Sequence, residues 1–273
     1  MGWIMSKSVL AKTASLAAKA QKQAESKLTS VQDVKNRELS QNSVTKTNQL
    51  ARAYYRFDLV SKRLMESLIS KLNPLAGVGD LQPITINAKD YAKTFNVSPK
   101  HAYNDLEKAA KTLLRSPLRV EHMQNGDYEE YGLAIKAEYR KGSGSLTVTL
   151  NPLITPHLLS LRNKQHIKYP LKEAVNFSSS YTWRLYEILL SQRKSPRETN
   201  GLIAGEWTYE VEEIRKLLSI PDSYVWSNIN KMLIKSIEEI ETETDLKITI
   251  ERLKTARKIT HVNFKFKESK PKA

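Results

Sequence analysis

The feature that most constrains the fold is an order of elements that occurs twice along the chain. From Gln49 to Leu72, apolar residues recur every three or four positions, which predicts one helix that Asn73-Pro74 ends. A short strand (Ile84 to Ile86) and a short helix (Ala88 to Phe95) follow. Ser98-Pro99 then suits a helix start, and the next helix is predicted to run to Arg115.

Hairpins are predicted to close this first half. Turn residues between alternating apolar and polar positions are their sequence signature. The strands and turns are Arg119 to Tyr139 around Asn125-Gly126, and Ser145 to Leu150 after Gly142 and Gly144.

The same order returns after a polar, basic stretch, Leu161 to Lys172. The predicted elements are a helix (Tyr181 to Gln192), a strand (Trp207 to Tyr209), a helix (Val211 to Ser219), a helix (Ser227 to Glu243), and strands Lys247 to Arg252 and Ile259 to Phe266. Helix, strand, helix, helix, hairpin is the order of a winged helix. The sequence therefore predicts an α+β fold of two tandem winged-helix domains, over residues 46–160 and 173–268.

Residues 1–45 differ from the rest, since they have few bulky apolar residues and repeat small and basic ones. Such a composition offers no broad face for a core. We interpret this segment as a flexible basic extension, and a basic arm that lies on DNA is an open alternative.

Composition adds a charge argument. Lys and Arg number 44 against 29 acidic residues, which gives a net charge of +15. A surface this basic favours polyanions, because neutralising a phosphate releases a condensed counterion, although excess lysine also serves solubility alone. The chain has no cysteine, which excludes disulfides and Cys-ligated zinc. No apolar run approaches the roughly 18 residues of a membrane span, so a cytoplasmic protein is the simplest interpretation.

The helix Ser227 to Glu243 is the strongest candidate for base recognition. Its apolar residues cluster on one side, which would seat it on a core. Polar side chains near its start can reach base edges in a major groove, and an ordinary surface helix is the alternative. The candidate base-reading residues are Ser227, Asn228, Asn230 and Lys231. Lys235, further along the outer face, is a candidate phosphate contact.

The hairpin after this helix has three cations at its tip, Lys254, Arg257 and Lys258. Cations at this place suit a wing that contacts the phosphate backbone, which sets register but carries little sequence information. Charged turns also occur for solubility alone.

The helix Pro99 to Arg115 repeats the pattern in the first half. Its inner side is apolar, and its outer side is mostly basic with one bordering acid, Asp105. A solvated face is the usual meaning of such a pattern, but phosphate contact is favoured here. The candidate residues are Lys100, Asn104, Lys108, Lys111 and Arg115.

Signals for catalysis are poor. The phosphate-cradling motif G-x-x-x-x-G-K-[ST] is absent, and the five histidines never form a His-hydrophobe-His metal pair. Tyrosines such as Tyr54-Tyr55 have no activating base nearby in sequence and are interpreted as core or interface residues. We therefore expect no enzymatic activity, no metal site and no cofactor.

Four stretches resemble the initiator Rep proteins of theta-replicating, iteron-containing plasmids, over roughly Val44 to Lys267. They are VTKTNQLARAYYRFDLVSKRLMESLISKLNP, ITINAKDYAKTFNVSPKHAYNDLEKAAKTLLRSPL, SSSYTWRLYEILLSQRK and IKSIEEIETETDLKITIERLKTARKITHVNFKF. One departure is Glu241, where relatives often carry Asn.

The resemblance implies a function that composition does not give. Monomers of such proteins bind directly repeated sites (iterons) in double-stranded origin DNA, help to open it, and recruit the host initiator and the replicative helicase. Dimers repress the protein's own gene. The second domain would supply most recognition, and the first would supply auxiliary contacts and the dimer surface, for which the strands around Tyr128 to Tyr139 and Ser145 to Leu150 are candidates.

Three other functions remain open from the residues alone. A winged-helix transcriptional regulator without a replication role explains the same patterns. A rolling-circle nicking enzyme would need the missing His pair. A basic scaffold without sequence preference would need only the charge.

Overall fold

The computed structural model describes residues 37–121, 127–162 and 165–269, and residues from Leu39 onward belong to one compact unit. The first part of the chain contains β1 (Ser43–Thr47), α1 (Asn48–Ala51), α2 (Leu59–Ser70), β2 (Ile84–Asn87), α3 (Ala88–Phe95), α4 (Pro99–Arg115), β3 (Pro117–Glu121), β4 (Tyr128–Gly132), β5 (Ala134–Arg140) and β6 (Ser145–Leu150). The second part contains β7 (His166–Pro170), α5 (Ser180–Ser191), β8 (Ala204–Glu210), α6 (Val211–Leu217), α7 (Trp226–Glu243), β9 (Leu246–Thr255) and β10 (Lys258–Glu268).

Two three-stranded antiparallel sheets have the same topology. The first has the order β2-β6-β5 and the second the order β8-β10-β9. In each half, a strand is followed by two helices and a hairpin, and the hairpin's last strand lies in the middle of the sheet. This topology confirms the prediction of two tandem winged helices.

Local signals fix the two helices that follow β2. Asn87 caps α3 by accepting a hydrogen bond from the Lys89 amide. Asn96 ends α3 in the left-handed conformation with φ of 49°, which Asn tolerates better than most residues. Ser98 then caps α4, with Pro99 in its first turn, as predicted.

The single helix expected from Gln49 to Leu72 is instead two helices, α1 and α2. The chain between them is extended at Tyr54, which exchanges backbone hydrogen bonds of 2.8 Å with Arg119 of β3. The guanidinium of Arg184 donates to the carbonyls of Ala51 and Ala53, which have no helical partner there. Asp58 starts α2 by accepting from the Ser61 amide. Tertiary contacts therefore interrupt a pattern that satisfies helical periodicity.

The first predicted hairpin, Arg119 to Tyr139, is also divided. β3 pairs with β4, whereas Tyr139 lies in β5 and pairs with β6. Leu133, fully buried, separates β4 from β5 and anchors this change of sheet. The turn residues Asn125-Gly126 lie outside the described residues.

The fold begins before residue 46. Residues 39–41 form a 3-10 turn, and β1 pairs in antiparallel register with β7, so that Val44 lies opposite Tyr169. Residues 39–45 thus belong to the fold, and β7 lies within the basic stretch that separates the predicted domains. The remainder of the predicted extension, residues 1–36, lies outside the described residues.

The two halves share a buried polar junction. α2 and α5 present side chains that meet β1, and four ionised groups there are fully buried: Lys46, Lys62, Glu66 and Glu187. Two positive and two negative charges balance, and each amine has carboxylate oxygens within 2.6–2.7 Å. Such a cluster is tolerated in a low-dielectric interior only when its members satisfy one another. Within the described ranges, no helix is both long and apolar enough to cross a membrane.

Candidate nucleic-acid interface

The helix α7 is seated on the core of the second half by its predicted apolar side. Ile229, Leu233, Ile237 and Ile240 are buried, and α7 packs against α5. The guanidinium of Arg215 on α6 donates to the backbone oxygens of Pro221 and Tyr224, at 2.8 and 2.9 Å. Arg215 thereby fixes the turn between α6 and α7, and it was not among the residues that the sequence singled out.

Three of the four candidate base-reading residues face solvent. Ser227, Asn228 and Lys231 are exposed on the first turns of α7, which begins at Trp226, one residue earlier than predicted. Ile234, 38% exposed, lies on the same outer side. The arrangement combines a fixed helix with hydrogen-bonding side chains at its start, which is the requirement for contact with base edges in a major groove.

Asn230 differs from the other three because it is half-buried and already engaged. Its Oδ1 accepts a hydrogen bond of 2.7 Å from Nε of Arg252 on β9. This contact joins the start of the helix to the neighbouring hairpin, three residues before β9 ends at the tip. Arg252 was not among the candidate residues, since its contact with Asn230 follows from the tertiary structure.

The β9–β10 hairpin carries the predicted cations at its tip. Lys254, Arg257 and Lys258 are all exposed, and Thr255 pairs with Lys258 across a two-residue turn. Ala256 in that turn has φ of 54°, a left-handed conformation that L-residues other than Gly, Asn and Asp rarely adopt. A register shift between Ile259 and His261 bends the β10 side of the hairpin near its tip.

Lys235 is exposed on the outer side of α7, as expected, and its Nζ lies 3.8 Å from Oε1 of Glu239. Glu239 also accepts hydrogen bonds from the Ser178 amide and hydroxyl. Burial would raise the pKa of the Glu239 carboxyl, but these hydrogen bonds and Lys235 hold its pKa below the ordinary value. Lys235 therefore shares its charge with a carboxylate that fixes the helix to the segment before α5.

On α4, all five candidate phosphate contacts are exposed: Lys100, Asn104, Lys108, Lys111 and Arg115. Two of them have acidic neighbours. Nζ of Lys108 lies 3.4 Å from Asp58, and Nζ of Lys111 lies 3.0 Å from Glu107. The hydrogen bond from Lys111, followed by its charge, lowers the pKa of the Glu107 carboxyl. The outer face of α4 is thus less uniformly basic than predicted, because Glu107 lies on it. Exposed pairs of this kind are worth little and can exchange partners.

The first half has a wing of its own at the turn predicted from Gly142 and Gly144, and the cations at its tip were not among the candidate contacts. The β5–β6 hairpin turns through Lys141 to Gly144, and Arg140 and Lys141 are exposed at its tip. Gly144 has φ of 60°, and a Cβ there would lie 2.4 Å from Oη of Tyr103 on α4. The hairpin therefore packs tightly against the helix. The signal for it was the RKGSG turn between two alternating strands.

Among residues 37–121, 127–162 and 165–269, no group of three or more His, Asp or Glu side chains is arranged to hold a metal ion.

Two family models match parts of this chain. The model of the family described as "Initiator Replication protein, WH1" matches residues 43–190, and that of "Initiator Rep protein, WH2" matches residues 210–266. A replication initiation protein from Escherichia coli is 24% identical over 220 residues, which are 78% of this chain and 66% of that protein, just under two thirds of its length.

A solved structure, described as the Pi initiator protein in complex with iteron DNA, has the same fold. It superposes with a TM-score of 0.68 at 20% sequence identity, covering 84% of this chain and 98% of the other. The WH1 model alone spans more than half of the sequence. With its two winged helices, the chain belongs to the family of initiator replication proteins.

Proposed function

We propose that this protein binds directly repeated sites in the double-stranded DNA of a plasmid origin and thereby starts replication without catalysing a reaction itself. It promotes opening of the origin and recruits the host initiator and the replicative helicase. As a dimer, it represses its own gene. The family membership and the likeness to an initiator whose structure includes iteron DNA support this proposal.

The observation that carries the proposal is the junction of α7 with the β9–β10 hairpin. Ser227, Asn228 and Lys231 are exposed on a helix whose opposite side is buried. The adjacent hairpin has exposed cations at its tip. A duplex supplies acceptors and donors at base edges for the helix and phosphates for the hairpin.

We assign different roles to the two domains, taken as residues 46–160 and 173–268. The second domain supplies the principal recognition through α7 and its hairpin. The first supplies auxiliary phosphate contacts through α4, and its strands around Tyr128 to Tyr139 and Ser145 to Leu150 form the dimer surface. Two linked modules bind tightly because, once one is bound, the other meets DNA at high effective concentration.

The test is binding of the purified protein to the DNA upstream of its own gene and to a scrambled duplex of equal length, near physiological salt. We expect a preference of about a thousandfold or more for the upstream DNA, with protection that recurs at a fixed spacing. Equal affinity for both duplexes would contradict the proposal and would mean that the protein binds nucleic acid without sequence preference.

A winged-helix regulator without a replication role is the second candidate, because the same junction of helix and hairpin serves an operator equally well. The two functions are separated by a transformation experiment. A plasmid whose only candidate origin is this gene with its upstream repeats should replicate in the host. A regulator without a replication role would not support this replication.

A further inference from the structure

The contact between Asn230 and Arg252 points to a base-reading residue outside the helix α7. We propose that Arg252 of β9 reads a guanine in the bound site and that Asn230 is a positioning residue that aims its guanidinium. This inference rests on the proposed binding of repeated duplex sites, and it names one element of their recognition.

The direction of the hydrogen bond determines what Asn230 can do. An arginine side chain has only donors, so the amide atom that faces it must be the oxygen Oδ1. Reading adenine with both amide atoms requires that oxygen to accept from the base. In this structure Arg252 occupies it at 2.7 Å, and Asn230 is half-buried. The contact therefore favours a supporting role for Asn230 over direct recognition.

Arg252 lies where a base-reading side chain is needed. Side chains two residues apart on a strand share a face, so Arg252 lies on the same side of β9 as Ile248 and Ile250, which face the core. Its cross-strand partner Val262 is fully buried. Arg252 is therefore the residue at which the core-facing row of β9 leaves the core and reaches the start of α7.

Because Nε of Arg252 donates to Asn230, the two terminal nitrogens of the guanidinium can bind another partner. The fork of an arginine matches O6 and N7 of guanine, which is the most common specific contact in a major groove. A guanidinium held by one hydrogen bond loses less freedom on binding than a free side chain. The ion pairs found among the described residues do not include Arg252, whereas Lys235 and Arg215 each lie within 4 Å of a glutamate.

Arg252→Lys tests the contact directly, since lysine keeps the charge but lacks the planar fork, in which Nε donates to Asn230 while the terminal nitrogens face a guanine. We expect the preference for repeat DNA over scrambled DNA to fall about five- to 150-fold, with little change in affinity for the scrambled duplex. Repeats in which each guanine in turn is replaced by 7-deazaguanine should weaken binding of the unaltered protein at one position. Arg252→Ala, which has no donor, should bind the altered and the unaltered repeat equally there.

A double-variant comparison separates positioning from independent recognition. If Asn230 acts through Arg252, Asn230→Ala lowers the preference in the unaltered protein and has no further effect in Arg252→Ala. If the losses of the two single variants instead multiply in the double variant, Asn230 reads a base itself. This result would overturn its assignment as a positioning residue.

Lys247→Ala is the matched control. It removes one positive charge from the same strand, about 17 Å from Arg252 along β9, and should leave the preference unchanged. A loss in Arg252→Lys that is equal on repeat and scrambled DNA would make Arg252 a phosphate contact and overturn the proposal. The absence of any preference in the unaltered protein would instead contradict the proposed function, so the two failures are distinguishable.

Discussion

Lys62 of α2 and Glu187 of α5 form an ion pair of 2.6 Å between Nζ and Oε2, and neither side chain is exposed to solvent. The pair joins α2 of the first half to the first helix of the second half. Lys46 and Glu66 complete a buried cluster around this pair, and the hydroxyl of Tyr169 donates a hydrogen bond of 2.6 Å to Glu187. A buried charge without its partner is costly, so this cluster makes the two helices interdependent.

The first prediction follows from that balance. Lys62→Met should lower the free energy of unfolding by about 3–5 kcal/mol, because it leaves an excess of buried negative charge. Lys62→Met combined with Glu187→Leu should recover most of this loss, since Lys46 and Glu66 remain paired with each other. Urea denaturation checks both variants.

The control for this comparison is Lys136→Ala, which breaks an exposed pair with Glu138. It should cost less than about 1 kcal/mol. A double variant that is less stable than Lys62→Met alone would contradict the view that charge balance maintains the cluster.

The same cluster gives a pH dependence. Burial would raise the pKa of the Glu187 carboxyl, but Lys46 and Lys62 outweigh it and lower the pKa to about 2 from the ordinary value of 4.5. The stabilising contribution of Glu187 is therefore complete above pH about 4.5 and is lost as pH falls toward about 2. Between these limits, one more proton binds to the unfolded chain than to the folded protein at this site.

We expect the free energy of unfolding to fall more steeply with acidification in the unaltered protein than in the double variant that carries Lys62→Met and Glu187→Leu. The difference in slope should approach about 1.4 kcal/mol per pH unit, the value for one proton. Parallel pH profiles of the two proteins between pH 4.5 and 2 would contradict the assignment.

Arg184 gives a prediction about the interrupted helix. Its buried guanidinium donates to the carbonyls of Ala51, Ala53 and Leu217, and it lies 4.2 Å from the ring centroid of Tyr55. Arg184→Lys should lower stability by about 2–4 kcal/mol, because an ammonium cannot reach all three carbonyls and hydrogen bonds from charged groups are the stronger ones. Arg197→Ala, at an exposed position, is the control for thermal unfolding.

The interruption at residues 52–58 also shows what the sequence could and could not predict. The periodicity from Gln49 to Leu72 is helical throughout, and the interruption depends on Arg119 and Arg184, which are distant in sequence. Helix α4 was predicted at both ends because its signals, Ser98 and Pro99, are local. Local capping and periodicity are readable from sequence, whereas long-range hydrogen bonds are not.

The site follows the same rule. The outward orientation of Asn228 and Lys231 follows from the apolar stripe of α7, and the structure places both as exposed. The engagement of Asn230 by Arg252 depends on how β9 lies beside α7, and no spacing in the sequence encodes it. The two residues lie 22 positions apart, so only the fold brings them together.

Gly144 allows steric strain to be separated from backbone strain. Its φ is 60°, and a Cβ there would lie 2.4 Å from Oη of Tyr103, whereas Gly201 has φ of 84° with nothing within 4 Å. Gly201→Ala should therefore cost about 1 kcal/mol for the left-handed backbone alone. Gly144→Ala should cost about 2–4 kcal/mol, since overpacking adds to the same backbone strain. Equal losses in thermal unfolding would show that Tyr103 moves aside freely.

The last prediction separates base reading from phosphate contact. Lys231→Ala and Asn228→Ala should weaken binding to repeat DNA by about 1–3 kcal/mol and relax the base preference, because base-edge contacts exist only on the correct sequence. Lys254→Ala and Arg257→Ala should weaken binding to repeat and scrambled DNA alike. Each should also reduce the slope of log affinity against log salt by about 0.9, because one fewer counterion is released. Titrations of all four variants at several salt concentrations check this division. If helix and wing variants had the same effect on both duplexes, recognition would not reside in the exposed start of α7, and the wing and helix would together form a sequence-independent phosphate surface.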